Sequence, residues 1–377
     1  MSIPWRNRFL LLLVPSILSF LFFLSYRSHA EDPGLLLNQN ASEESNPVAD
    51  SGPPPNILLV TAFFPLSKSK HTLPEYEWWL YQFLAGVSTD VYFYVAPEMA
   101  QLVRRCRGDL PITIDTRFGS PFEIPPLNGT RARYDAMHAL DREAARHSPE
   151  LYAVWNTKPF FLDEAVQVLA RGGKEYDYAF WTDAGSFRST HRYKEWPSPA
   201  RVREIWQEAS VLTGEKTEDL LFFPLTGMPS ARSRRWTETQ GPVDAEFSEG
   251  SFFGGSPRTV AWWRATYYAY HDYYLSLGLF VGKDQTLINA LFLLFPARVV
   301  AVWLGDPVPA PVVRLLPLVD EGALGHCGAE WYYYQFWLAG AGERAAMRAL
   351  WDGEMRWGWA WWKRRQRWAP PVHTVTA

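Results

Sequence analysis

The chain has 377 residues, 47% of them hydrophobic and 20% charged, with a formal net charge of -3. That length buries a large core in one large domain or two small ones, and the near-neutral balance removes the electrostatic case for a nucleic-acid partner. Aromatic residues make up 16%, including 19 Trp, so most serve as core and a few are available to stack on sugar or base faces.

Phe9 to Ser25 is apolar and uncharged, and Arg6 and Arg8 precede it. It reads as a single-pass signal anchor that leaves residues 1–8 cytosolic and sends everything after Tyr26 to the lumenal side. The competing reading is a cleaved signal, because Ser28-His29-Ala30 resembles a small-residue cleavage site. Both place the bulk of the chain in the secretory route, with the Golgi or ER membrane as the expected address. The sequons Asn40-Ala41-Ser42 and Asn128-Gly129-Thr130 fit that address. Cys106 and Cys327 either form one disulfide or lie buried apart.

Residues 26–55 are rich in Pro, Ser, Asn and acids and read as a flexible stalk. The folded domain begins at Asn56, where Ile57 to Phe64 is a continuous apolar run suited to a strand covered on both faces. A helix over 75–87, a strand over 90–96, a helix over 98–106 and a strand over 111–116 follow, the alternation of a parallel sheet with crossover helices. Residues 117–129 read as a surface loop and 131–148 as a charged, Ala-rich helix. Pro159 suits the first turn of the next helix, over 160–170, and Gly172-Gly173 suits its stop. The aromatic strand 176–182 then ends at Asp183-Ala184-Gly185, which puts a carboxylate where the backbone leaves the sheet. Asp183 either meets a ligand in the crevice or caps its own turn.

Residues 201–212 suit a helix, 220–225 a buried strand, and 226–247 a lid or a solvated loop. Glu249 to Ser256 (EGSFFGGS) reads as a glycine turn before an aromatic helix near Pro257. Gly282-Lys283-Asp284-Gln285 opens a further helix, where Asp284 is a favourable first-turn charge or a site residue. A late strand covers 297–304, and His326 sits in a glycine-flanked turn. From 342 to 377 the tail is dense in Trp and Arg, and it either packs on the domain or lies against the membrane.

The ordered set VTAFF (Val60 to Phe64), WTDAGSFR (Trp181 to Arg188), EGSFFGG (Glu249 to Gly255) and GKDQTLIN (Gly282 to Asn289) resembles the GT-A class of nucleotide-sugar glycosyltransferases, and in particular its HtrL/YibB-like proteins. The resemblance spans about Asn56 to Leu338 and implies an α/β fold with a mixed, mostly parallel sheet flanked by helices, in a catalytic domain over 56–341. It implies a membrane-anchored lumenal enzyme that moves a sugar from a nucleotide-sugar donor to a glycan, lipid or protein acceptor; the alternative is a non-catalytic sugar- or nucleotide-binding protein with a degenerate site. Asp183 would correspond to the DxD aspartate and His326 to the histidine that completes a Mn²⁺ or Mg²⁺ shell. Lys158 would contact the donor or orient Asp183; Arg188, Thr61, Gly254, Gly255 and Gln285 would border the donor, and Asp284 would be the base if the reaction inverts or a donor-orienting group if it retains. Gly185 stands where the second DxD acid is expected, which lowers the expected metal affinity and leaves Arg188 or Lys158 to supply the missing positive charge. A glycoside hydrolase would instead use Asp183 and Asp284 as facing carboxylates.

Overall fold

The apolar runs after the stalk form the centre of one sheet. The computed structural model describes residues 52–66, 68–69, 71–304, 332–355 and 373–374. The anchor over 9–25, the stalk to residue 51, Asn40, His326, Cys327 and the Trp-rich stretch 357–368 lie outside the described residues. Among the described residues no helix is long and apolar enough to cross a membrane.

Strands β1 (Ile57–Phe63), β2 (Asp90–Val95), β3 (Ile112–Asp115), β4 (Tyr178–Thr182), β5 (Leu221–Leu225), β6 (Phe252–Gly255), β7 (Val299–Trp303) and β8 (His373–Thr374) make an eight-stranded sheet in the order β3-β2-β1-β4-β6-β5-β7-β8. β1 runs parallel to both β2 and β4, with Val60 opposite Tyr92 on one side and Trp181 on the other. The chain therefore winds outward through β2 and β3, then returns to the far side of β1, and the reversal opens a crevice at the carboxyl ends of β1 and β4.

Helices α1 (Leu73–Gly86), α2 (Ala100–Arg107), α3 (Arg131–Met137), α4 (Pro149–Arg171), α5 (Pro199–Thr213), α6 (Pro257–Ser276), α7 (Asp284–Leu294), α8 (Tyr333–Trp337) and α9 (Ala341–Met355) connect the strands. Strand alternation sorts the core into two layers. Leu58, Val60 and Trp181 face Phe161 of α4, Trp263 of α6 and Leu291 of α7. Leu59, Phe63 and Phe180 face Phe83 of α1, Val103 of α2, Trp206 of α5 and Phe336 of α8. Burying each of these large side chains contributes roughly 1.5–3 kcal/mol.

Three sequence expectations change. α4 starts at Pro149 and runs through Pro159: Ser148 Oγ accepts from the Leu151 amide, so the N-terminal Ser-Pro signal lies ten residues upstream of the proline read as the start. The expected helix over 131–148 is only the short α3, followed by a 3₁₀ turn over His138–Leu140 and irregular chain. The glycine turn is in its second half a strand, since β6 runs antiparallel between β4 and β5 with Gly254 opposite Phe180. A Cβ on Gly254 would stand 2.1 Å from the Ala179 carbonyl oxygen, and one on Gly255 2.5 Å from that of Leu220. Both glycines exist so that neighbouring backbones can approach.

The first helix of the tail packs on the domain. Glu343 accepts from the amides of Lys194 and Glu195, and Met347 is fully buried. Cys106 is buried on α2.

Candidate active site

A cleft of about 560 Å³ opens at the crevice between the ends of β1 and β4. Its walls are aromatic: Phe63 at the end of β1 and Phe64 just beyond it, Tyr76 and Trp79 on α1, Trp155 on α4, and Tyr332. Leu151, Val154, Trp155 and Lys158 line it from α4, at the spacing that puts four residues on one helical face. The floor is charged.

Lys158 is the centre of that floor. Its side chain is only 5% exposed, and its ammonium lies 3.1 Å from Asp183 Oδ1 and 3.1 Å from Asp284 Oδ2. It also donates to the Gly250 carbonyl at 2.9 Å. Burial pulls its pKa down, but Asp183, Asp284 and Glu249 outweigh this and hold it above the ordinary lysine value.

Asp183 follows β4 directly and is more open than Asp284, with 36% of its side chain exposed. Trp181 Nε1–H donates to its Oδ1 at 2.7 Å, and its backbone amide donates to the Ser251 carbonyl at 2.8 Å. Burial raises its carboxyl pKa against the pull of Lys158 and the Trp181 N–H, while Asp284 adds to the rise. The remaining exposure tempers that push.

Glu249, which sequence reasoning placed only within a glycine turn, is the third acid. It lines the cleft just before β6, and its Oε1 accepts from the Ser251 amide at 3.1 Å. Burial, reinforced by Asp183 and Asp284 and opposed by Lys158, pushes its pKa up to about 7. A carboxyl that titrates there can take a proton at neutral pH. The missed signal is an acid beside a glycine at the end of an apolar run, the pattern of Asp183-Ala184-Gly185 met from the other direction.

Arg188 lies at the cleft with its guanidinium carbon 4.9 Å from the Trp79 ring centroid, and its Nε donates to the Gly185 carbonyl at 3.2 Å. A side chain at position 185 would meet that same ring, 3.2 Å from Trp79 Cε3. The place of the second DxD acid is therefore taken by an indole that carries a cation.

Several expected roles are corrected. Asp284 does not line the cleft: its side chain is 8% exposed, its Oδ1 accepts from the Gln285 amide at 2.9 Å and its Oδ2 faces Lys158. It is a buried first-turn charge that holds Lys158, so it is not placed to deprotonate an acceptor. Because Asp284 stays buried behind Lys158 and only Asp183 lines the cleft, the two are not the pair of cleft acids a glycosidase needs either. Thr61 is fully buried in β1 between Val60 and Ala62 and does not reach the cleft. Gly254 and Gly255 are held inside the sheet, away from any donor. Gln285 donates to the Ser248 carbonyl at 3.0 Å and lies 3.4 Å from Glu249 Oε2, so it braces Glu249.

The divalent ion implied by the resemblance needs a set of oxygen or imidazole ligands. Among the described residues no three His, Cys, Asp or Glu side chains form such a group. Asp183, the expected ligand, already accepts from Lys158 and Trp181, so the described side chains do not fit a metal shell. His326 lies outside the described residues.

No protein-family model and no curated protein sequence matches the chain. Among solved structures, the chain is similar to mouse xyloside xylosyltransferase 1 in its apo form, with a TM-score of 0.37 and 7% identity over 66% of this chain and 84% of that one. It is also similar to core-mannan synthase A from Aspergillus fumigatus in its Mn/GDP form, with a TM-score of 0.38 and 11% identity over 70% of this chain and 74% of that one.

Proposed function

We propose that the chain is a glycosyltransferase that moves a sugar from a nucleotide-sugar donor to a glycan, lipid or protein acceptor. The observation that carries this reading is the floor of the aromatic cleft, where Asp183 and Glu249 flank the buried Lys158 at the carboxyl end of β4. Aromatic walls suit a base and a sugar ring, and Arg188 offers a guanidinium to a diphosphate. In the reaction the acceptor oxygen bonds to the anomeric carbon while the bond from that carbon to the diphosphate oxygen breaks. The acceptor proton passes to Glu249, and the nucleoside diphosphate leaves with the electron pair. Arg188 offsets the charge that develops on the leaving group.

The test is a panel of sugar nucleotides incubated with the full-length chain and scored for transfer or hydrolysis. Turnover of at least one donor is expected, and Asp183→Asn is expected to lower it about 100-fold or more while the melting curve stays close to that of the wild type. A folded protein that turns over none of them defeats the proposal. Donor binding without turnover supports the second reading, a non-catalytic binder, which the withdrawal of Asp284 from the cleft favours.

Under the same proposal the chain is a single-pass type II protein of the Golgi or ER membrane, anchored through residues 9–25 with the catalytic domain lumenal. Asn128 is exposed in a turn, accessible to the glycosylation machinery. In a secretory host the wild type is expected to shift in mobility on endoglycosidase treatment by one glycan more than Asn128→Gln. Identical shifts for the two proteins would count against lumenal exposure of this face.

A further inference from the structure

The helix that walls one side of the cleft has a second aromatic face, which the core does not use. α1 buries Leu80, Phe83 and Leu84, while its Tyr76 and Trp79 line the cleft. Trp78 and Tyr81 lie outside both sets and keep 49% and 52% of their surface exposed. Their ring planes are within 23° of parallel, with centroids 6.2 Å apart. Pro74, Glu77, Trp78 and Tyr81 recur at the spacing of one helical stripe, and with Arg105 and Cys106 of α2 they line an open groove of about 450 Å³. Single apolar side chains on a surface are ordinary. A matched pair of rings in a hollow is a surface shaped for contact.

The groove has the parts that a sugar ring requires. Aromatic faces pack against the C–H side of such a ring, and its hydroxyls call for acceptors and donors at the edge. Glu77 and Arg105 supply one of each: their charged ends lie 3.9 Å apart, and both side chains are more than half exposed, within reach of a ligand. The charged residues lining the groove are this one acid and this one base, so their charges offset each other and suit an uncharged ligand. A wholly apolar partner would strip both ends of water and give them nothing in return. Leu73 lines the cleft and the next residue, Pro74, lines the groove, so the two hollows meet at the first turn of α1. We infer that the outer face of α1 is a second, carbohydrate-binding site, where Trp78 and Tyr81 stack on a neutral sugar of a glycan chain and Glu77 and Arg105 bond its hydroxyls. Its role as a tether for the acceptor beside the cleft rests on the transferase reading; the binding itself does not.

The experiment is affinity electrophoresis of the purified full-length chain in detergent, through native gels that carry a neutral β-glucan, mannan, xylan or galactan in turn. At least one of the four is expected to retard the wild type. In that gel Trp78→Ala and Tyr81→Ala are each expected to weaken binding about tenfold, while Tyr81→Phe, which keeps the ring, stays within about threefold of the wild type. Both side chains are half exposed, so the melting curves of these variants are expected to match that of the wild type. Asp183→Asn, a change inside the cleft, is expected to be retarded like the wild type. Retardation by none of the four overturns the inference. So does retardation that Asp183→Asn abolishes and Trp78→Ala keeps, which puts the sugar in the cleft. A dimer that Trp78→Ala dissociates with retardation unchanged also overturns it, and gives the face to a second copy of the chain. Turnover of sugar nucleotides is read separately, so each of these failures leaves the transferase reading standing.

Discussion

Replacing Lys158 with methionine is expected to destabilise the domain by about 3–5 kcal/mol, because it leaves Asp183 and Asp284 facing each other with no cation between them. The loss is larger than for a surface pair, since the ammonium is almost fully enclosed and also satisfies the Gly250 carbonyl. Adding Asp284→Asn to Lys158→Met removes one of the stranded charges and is expected to recover part of the loss. Denaturant titration of the two variants and the wild type reads this directly, and a change below about 1 kcal/mol for Lys158→Met would show that the cluster is not an ion-paired unit. The folded-state pKa of Lys158 is raised, so its contribution is complete below the unfolded lysine value and is lost only as pH rises through the folded one. Between pH 5 and 9 this lysine adds no slope.

Glu249→Gln is expected to cost about 10²–10⁴-fold in turnover while nucleotide binding persists. The wild type should gain activity as pH rises through about 7, where the carboxylate forms, and the variant's residual activity should lack that limb. Stability moves the other way. From the ordinary value of 4.5 up to about 7 the folded protein keeps the Glu249 proton and the unfolded chain has lost it, so this group makes folding less favourable as pH rises across that window. The glutamine variant is therefore expected to melt higher than the wild type at pH 8 and at the same temperature near pH 4. Equal melting temperatures at both pH values would place Glu249 in open solvent and remove it as the base.

The elements built from continuous apolar runs were legible in the chain. β1, β2, β4, β5 and β7 lie within a few residues of where their Val, Phe and Trp content puts them. β6 was not, because Phe-Phe-Gly-Gly carries the composition of a turn, and its need for glycine comes from the strands on either side of it. The start of α4 was hidden by Pro159, which satisfies the rule for a first helical residue while sitting in the interior. At the site, Asp183 and Lys158 followed from the order of motifs. The place of Asp284 behind Lys158, and that of Glu249 in front of it, depends on which way two side chains face after the chain has closed. Local spacing holds no information about that, and the perturbed titration of Glu249 arises from its burial in the closed fold, reinforced by the other acids.

One helix supplies both the inner wall of the cleft and the lysine at the centre of its floor: Leu151, Val154, Trp155 and Lys158 ride on a single rod. Widening the mouth by tilting that rod would also draw the ammonium off its two counter-ions. Bulky cargo and charge balance are thus geared together, and a ligand too wide for the aperture meets an electrostatic restoring force as well as a steric one.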